Sequence, residues 1–93
     1  MSESILSNDR KCFICGAVNG LHKHHVYGGS RRQLSERFGC WCYLCGWHHN
    51  LSNSGVHADR QLDLMLKRET QKRWEALNGD TDAFIAVFGR SYL

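Results

Sequence analysis

The chain has 93 residues, a formal net charge of +3, five cysteines, six histidines and no proline. A domain of this length buries only about 60 to 65% of its unfolded surface, so its core calls for an additional stabilising element. No run approaches the roughly 18 apolar residues of a membrane span, and no secretory signal begins the chain. The sequence therefore predicts a cytoplasmic protein, in which clustered thiols bind metal more often than they form disulfides.

The first half of the chain predicts a hairpin bounded by Cys and His turns. Residues 1–11 are polar and predict a flexible leader, and residues 12–57 predict the core. In chain order the core has a CxxCG turn at 12–16, a strand over 21–27, a helical turn or ordered loop over 31–38, a second strand over 40–44 that pairs with the first, and a helix that begins at His48.

The second half, residues 58–93, predicts a helical extension of the same single domain. A long helix covers roughly 56–77 and ends at Asn78-Gly79. Its apolar stripe is predicted to consist of Leu62, Met65, Leu66, Trp74 and Leu77. Asp80 or Thr81 can cap a short final helix, in which Phe84, Ile85 and Phe88 are predicted to face the core.

The cysteine spacing predicts one structural zinc site. A tetrahedral zinc takes four N or S ligands, and CxxC lets one tight turn present two of them, here Cys12 and Cys15. The second pair is either Cys45 with His48 or Cys42 with Cys45. We favour the first pair, because its turn lies between a strand and a helix. Cys42, which stays the alternative ligand, and Cys40 would then behave as small buried hydrophobes.

The histidines exceed what one structural zinc needs. His24-His25 and His48-His49 form two doublets, and His57 follows. Neighbouring residues on a strand point to opposite faces, so His24 and His25 can serve one site only if the backbone is irregular there. The adjacent Gly28-Gly29 makes such irregularity plausible. His22 is assigned a structural role.

The strings CFIC at 12–15, HKHHVYGG at 22–29 and CGWHH at 45–49 resemble the HNH endonuclease family of ββα-metal nucleases, in particular small phage and prophage members. The resemblance implies a small α+β, treble-clef-like hairpin-plus-helix core and a bacterial host cytoplasm. It also implies that His24 and His49 bind a catalytic Mg²⁺, Mn²⁺, Ni²⁺ or Zn²⁺, that His57 is a third ligand or a phosphate contact, and that His25 is the general base.

The chain departs from the family at one position. The middle Asn, which orients the base in relatives, is expected where this chain has Gly39-Cys40-Trp41-Cys42. A backbone carbonyl or Asn50 is the expected substitute.

Basic residues between the strands predict contacts with backbone phosphates. Guanidinium groups bind phosphate in a bidentate manner, so Arg31, Arg32 and Arg37, together with Lys23, are the predicted DNA contacts. The predicted function is metal-dependent hydrolysis of DNA phosphodiester bonds with weak sequence preference. The competing hypotheses are a non-catalytic zinc-ribbon module that binds nucleic acid or protein, and an inactive nuclease. A homodimer or a phage protein partner stays open.

Overall fold

The structure is a computed structural model that describes residues 3–49 and 55–93. Its elements are β1 (Leu21–His25), a 3₁₀ turn (Gly29–Arg31), α1 (Arg32–Phe38), β2 (Trp41–Cys45), α2 (Gly46–His49), α3 (Arg60–Asn78) and α4 (Thr81–Phe88). This is a small α+β fold, a two-stranded hairpin followed by helices, as the sequence predicts. Within the described ranges, no helix combines the length and apolar character needed to cross a membrane.

The hairpin determines which side chains share a face. β1 and β2 are antiparallel, with Leu21 opposite Cys45 and His24 opposite Cys42. Because side chains alternate along a strand, His24 lies on one face and His25 on the other. The backbone irregularity that would bring both to one face is not found in β1. Cys40 and Cys42 are fully buried, and burial raises the pKa of each thiol to about 12, so both stay neutral.

The N-terminal segment packs against the core. The amide of Ile5 donates to the carbonyl of Gly39 at 2.9 Å, Ser4 Oγ donates to the carbonyl of Trp41, and Leu6 is 7% exposed. Gly39 has a φ of 72°, and a Cβ there would clash with the carbonyl oxygen of Glu3. Residues 3–6 therefore differ from the expected flexible leader, because their backbone and one leucine are used by the core.

One row of α3 faces the core. Asp59 caps the helix by accepting from the amides of Gln61 and Leu62. The buried residues are Leu66, Thr70, Gln71 and Trp74. Their spacing of three to four residues defines a single face. The predicted stripe is wrong at Met65, which lies off this row and is 46% exposed, and at Leu77, which lies on the last turn and is 67% exposed.

The final helix closes an aromatic core. Asp80 caps α4, and Phe84 and Phe88 are buried one turn apart. Ile85 is 38% exposed, which corrects its predicted core position, since it lies about 100° around the helix from Phe84. The Tyr27 ring lies 4.7 Å from that of Phe88, and its hydroxyl donates to the carbonyl of Lys67 at 2.7 Å. Tyr27 thereby holds α3 against the end of β1.

Candidate functional site

The first cluster combines three cysteines with one histidine. We call Cys12, Cys15, Cys45 and His48 the thiolate cluster; each offers one ligand atom, and these atoms lie within 4.8 Å of one another. His48 Nδ1 lies 3.3 Å from Cys45 Sγ and 3.7 Å from Cys12 Sγ. Zinc bonds of about 2.3 Å to sulfur and 2.0 Å to nitrogen place tetrahedral donors roughly 3.4 to 3.8 Å apart. The cluster could therefore bind a structural metal.

Cys42 lies outside this cluster, which contradicts the alternative ligand set. Cys42 and Cys45 are three residues apart on β2, so strand alternation directs them to opposite faces. A zinc ligand must be a thiolate, whereas burial raises the pKa of Cys42 to about 12. Of the two half-sites that the sequence allows, the structure brings together the one with His48.

The turn at Cys12 stabilises a thiolate. Burial raises the pKa of this thiol, but backbone amides of Cys45, Cys15 and Ile14 donate hydrogen bonds to it, and the result is a pKa of about 6. Hydrogen bonds to the charged form favour that form. The CxxC turn thus favours the thiolate of Cys12, which is the form that binds a metal.

The second cluster contains three imidazoles from three parts of the chain. His24 on β1, His49 on α2 and His57 before α3 form the imidazole cluster, with one nitrogen of each within 4.8 Å of the others. His49 Nε2 lies 3.2 Å from His57 Nε2. His24 is 6% exposed, and its Nε2 is buried without a hydrogen-bond partner among the described residues. Leaving a buried polar atom unpaired costs about 1 to 3 kcal/mol, which a bound cation would offset.

Two members of the imidazole cluster, His24 and His49, have lowered pKa values that favour the neutral ring. Burial, with added electrostatic repulsion from the neighbouring His49 and His57, lowers the pKa of His24 to about 3. Burial also lowers the pKa of His49, and repulsion from His57 and His22 adds to the effect. Neutral imidazole has the lone pair that a metal ligand requires. This donor set fits a divalent cation with open coordination positions.

His22 extends this cluster, although the sequence assigned it only a structural role. Its Nδ1 lies 2.9 Å from Nδ1 of His49, so one of the two nitrogens must donate to the other. The second nitrogen of a metal-binding histidine is commonly held in this way, which fixes the ring orientation and the tautomer. The signal was present in the sequence, since His22 and His24 are two residues apart on one strand face.

His25 lies on the opposite face of β1 and contacts a carboxylate. Its Nε2 is 2.8 Å from Glu36 Oε2, and the other oxygen of Glu36 accepts from Lys23 Nζ at 2.7 Å. These two hydrogen bonds lower the pKa of Glu36 and keep it ionised. Sequence reasoning missed Glu36, because this residue lies 11 residues farther along the chain, in α1, and no motif marks it.

Two cavities meet at His25. The α3 cavity, of about 470 Å³, is lined by His24, His25, Val26, Tyr27, Gly28, Arg31, Val56, His57, Ala58, Arg60, Asp63, Lys67 and Tyr92. The α1 cavity, also of about 470 Å³, is lined by Lys23, His25, Arg32, Gln33 and Glu36. His25 is not a member of the imidazole cluster, but it lines the same cavity as His24 and His57.

The predicted DNA contacts are divided between these cavities and other places. Arg31 lines the α3 cavity and its Nε donates to the carbonyl of Phe88 at 3.0 Å, while Arg32 lines the α1 cavity. Arg37 lines neither cavity, and its guanidinium lies 5.8 Å from the centroid of the Phe38 ring. Lys23 lines the α1 cavity but is already paired with Glu36.

Two further positions bear on the predicted site. Asn50, a predicted site residue, lies outside the described residues. At the place of the missing Asn, the carbonyl of Cys40 already accepts from the amide of Val26 at 3.0 Å, and that of Trp41 accepts from Ser4 Oγ. The side chain that contacts His25 is Glu36 instead.

Searches with protein-family models, among curated proteins and among solved structures each give no match to this chain. The function is therefore inferred from the geometry of the two clusters and the cavities beside them.

Proposed function

We propose that the chain is a metal-dependent HNH-type endonuclease that hydrolyses DNA phosphodiester bonds on a ββα-metal, treble-clef-like core. The observation that carries this proposal is the imidazole cluster, whose His24 Nε2 is buried and has no hydrogen-bond partner among the described residues. Two of its members, His24 and His57, line the same cavity as His25, which is paired with Glu36. A zinc module that only binds has no use for a cluster of three imidazoles near a histidine that is paired with a carboxylate.

His25 would act as the general base. Glu36 accepts a hydrogen bond from the Nε2–H of His25, which leaves Nδ1 of the neutral ring with its lone pair. That nitrogen can take a proton from a water molecule that attacks the phosphorus in line with the leaving oxygen. The ionised Glu36 would then stabilise the imidazolium that forms. Glu36 is thus a positioning residue, and it takes the place of the family's middle Asn.

His24, His49 and His57 would hold the catalytic cation. A divalent ion at this place neutralises charge on the phosphate and on the leaving oxygen. Three imidazole donors suit Ni²⁺, Zn²⁺ or Mn²⁺ better than Mg²⁺, which prefers oxygen ligands. We therefore expect the activity to be greater with Mn²⁺ or Ni²⁺ than with Mg²⁺.

The thiolate cluster would bind Zn²⁺ with a structural role. His48 belongs to it, and the next residue, His49, belongs to the imidazole cluster. Zinc bound to His48 would fix α2 against the CxxC turn and thereby set the position of His49.

Nicking of a supercoiled plasmid tests the proposal. The zinc-loaded protein is incubated with Mg²⁺, Mn²⁺ or Ni²⁺, and we expect open circles to form. His25→Ala should lose nicking by about two to four orders of magnitude, the usual contribution of a general base, and keep its circular dichroism spectrum. Lys72→Ala, which removes an exposed charge on α3, should nick like the wild type.

DNA binding without nicking under every cation would overturn the proposal. That outcome would favour the zinc-ribbon binding module. Nicking that persists undiminished in His25→Ala would also overturn the assigned mechanism.

A further inference from the structure

The two cavities on either side of His25 each have an arginine that forms no ion pair or hydrogen bond with the described residues. Arg60 lines the α3 cavity and Arg32 lines the α1 cavity; within residues 3–49 and 55–93, neither side chain forms an ion pair or a hydrogen bond. Uncompensated guanidinium groups at the walls of a cavity attract anions and bind phosphate in a bidentate manner.

The other charges of the α3 cavity are already paired or anchored. Its carboxylate, Asp63, binds Lys67 Nζ at 2.7 Å, so these two largely cancel. Arg31 is held by the carbonyl of Phe88 and lies over Gly89, where a Cβ would be 2.5 Å from Arg31 Nη2. Among the described residues, the cavity wall has three cations, Arg31, Arg60 and Lys67, and one carboxylate, Asp63, so its net charge is positive. Arg60 is the cation of this wall that has no ion-pair or hydrogen-bond partner among those residues.

The first turn of α3 does not supply a competing anion site. Asp59 Oδ1 already accepts from the amides of Gln61 and Leu62, at 3.0 and 3.2 Å. An anion in the α3 cavity would therefore meet the side chain of Arg60. The cavity volume of about 470 Å³ lies within the range of about 300 to 1,000 Å³ of ligand sites.

We propose that the α3 cavity is a subsite for the backbone phosphate next to the scissile one, with Arg60 as its principal contact. Arg32 contacts the phosphate on the other flank, so that one strand of nucleic acid crosses His25 from the α1 cavity to the α3 cavity. This inference depends on the proposed function and adds the path of the substrate. An anionic strand suits these cavities because each has an arginine without an ion-pair partner in the described part of the chain, and both open on His25.

Fluorescence anisotropy with the zinc-loaded full chain measures the contact apart from chemistry. In a His25→Ala background, which prevents cleavage, a labelled 12-base-pair DNA duplex is titrated at several salt concentrations. Arg60→Gln should weaken binding about three- to tenfold at low salt and reduce the slope of log K against log salt by about one, the effect of one lost phosphate contact. Lys72→Gln, an exposed charge on the same helix that lines neither cavity, is the control.

Neutral linkages identify the flank. A single uncharged methylphosphonate linkage is placed in a short oligonucleotide. The wild type should cleave less at the bonds on both sides of this linkage, and the product ladder shows the cleavage at each bond. In Arg60→Gln the suppression should disappear on one side only, and in Arg32→Gln it should disappear on the other.

The outcomes separate the two proposals. If the wild type nicks DNA but Arg60→Gln binds the duplex as tightly as Lys72→Gln does, the proposed phosphate subsite is overturned and the nuclease proposal stands. If Arg60→Gln and Arg32→Gln both restore cleavage on the same side of the methylphosphonate, the proposed strand path is overturned. Absence of nicking under every cation overturns the nuclease proposal, while the anisotropy series still reports whether Arg60 contacts phosphate.

Discussion

The thiolate cluster and the imidazole cluster are neighbours in the chain but differ in what they offer an ion. The thiolate cluster has four donors, enough to close a tetrahedron, and amides that favour the thiolate of Cys12. The imidazole cluster has three donors, and two of its members, His24 and His57, line the α3 cavity. A closed donor set suits a structural ion, whereas an incomplete one leaves positions for water and substrate. The difference shows how two adjacent residues, His48 and His49, can take separate roles.

The largest expected effect comes from breaking the thiolate cluster. Cys12→Ser should unfold the domain, because structural zinc contributes on the order of 10 kcal/mol to folding in small zinc peptides. Circular dichroism and elemental analysis measure the outcome. Cys42→Ala removes a buried thiol outside the cluster, so it should retain one zinc per chain. Zinc lost in Cys42→Ala and kept in Cys12→Ser would reverse the assignment.

Separate substitutions of the two adjacent histidines test whether the two clusters bind ions independently. His48→Ala should release the zinc and lower the thermal stability. His49→Ala should keep the zinc but lower nicking by about a hundredfold or more, since even an outer-shell change at a metal site costs 10- to 100-fold. Zinc content and the nicking rate, measured on both variants, test this. Equal zinc loss in the two variants would contradict two separate sites.

A smaller effect is expected at Glu36. Glu36→Gln keeps the shape of the side chain but removes the charge that stabilises protonated His25, so nicking should fall about tenfold or more and its pH profile should change. The readout is the rate between pH 5.5 and 9. Glu69→Gln, which changes an acid paired with Arg73 on α3, is the matched control. An unchanged pH profile in Glu36→Gln would rule out the positioning role.

The smallest effect is a pH dependence of stability caused by His24. Its pKa is about 3 in the folded protein and near 6.5 when unfolded, so between these values the unfolded chain binds a proton that the folded one does not. The contribution of neutral His24 to the free energy of unfolding is therefore fully present above pH 6.5. It decreases as the pH falls below 6.5, by up to about 1.4 kcal/mol per pH unit. Urea unfolding between pH 7 and 5.5 measures it. His24→Leu should show a shallower dependence, and an equal slope would contradict the assignment.

Local patterns in the sequence were enough for the main elements and for the thiolate cluster, whereas the ligand roles in the imidazole cluster were implied by the resemblance to HNH nucleases. The spacing of Cys12 with Cys15 and of Cys45 with His48 indicates a turn that presents two ligands, and this information lies within four residues. The choice between Cys42 and His48 depended on where β2 ends, which only the structure shows. The strand interpretation of β1 predicted that His24 and His25 would lie on opposite faces.

Contacts between distant elements could not be predicted in the same way. Glu36 reaches His25 from α1, and Arg60 reaches the α3 cavity because Tyr27 holds α3 against β1. Neither position has a motif around it. The errors at Met65 and Ile85 have a related origin, since apolar type alone does not show which side of a helix the core will cover.

The alternation of β1 has a consequence for engineering. A deletion of one residue near Gly20 that shifted the pairing of β1 with β2 by a single position would turn every side chain of β1 over. His24 would then face Glu36, and His25 would face His49 and His57. Loop grafting or circular permutation at this hairpin should therefore preserve the parity of its residue count, because an odd change exchanges the roles of the two histidines.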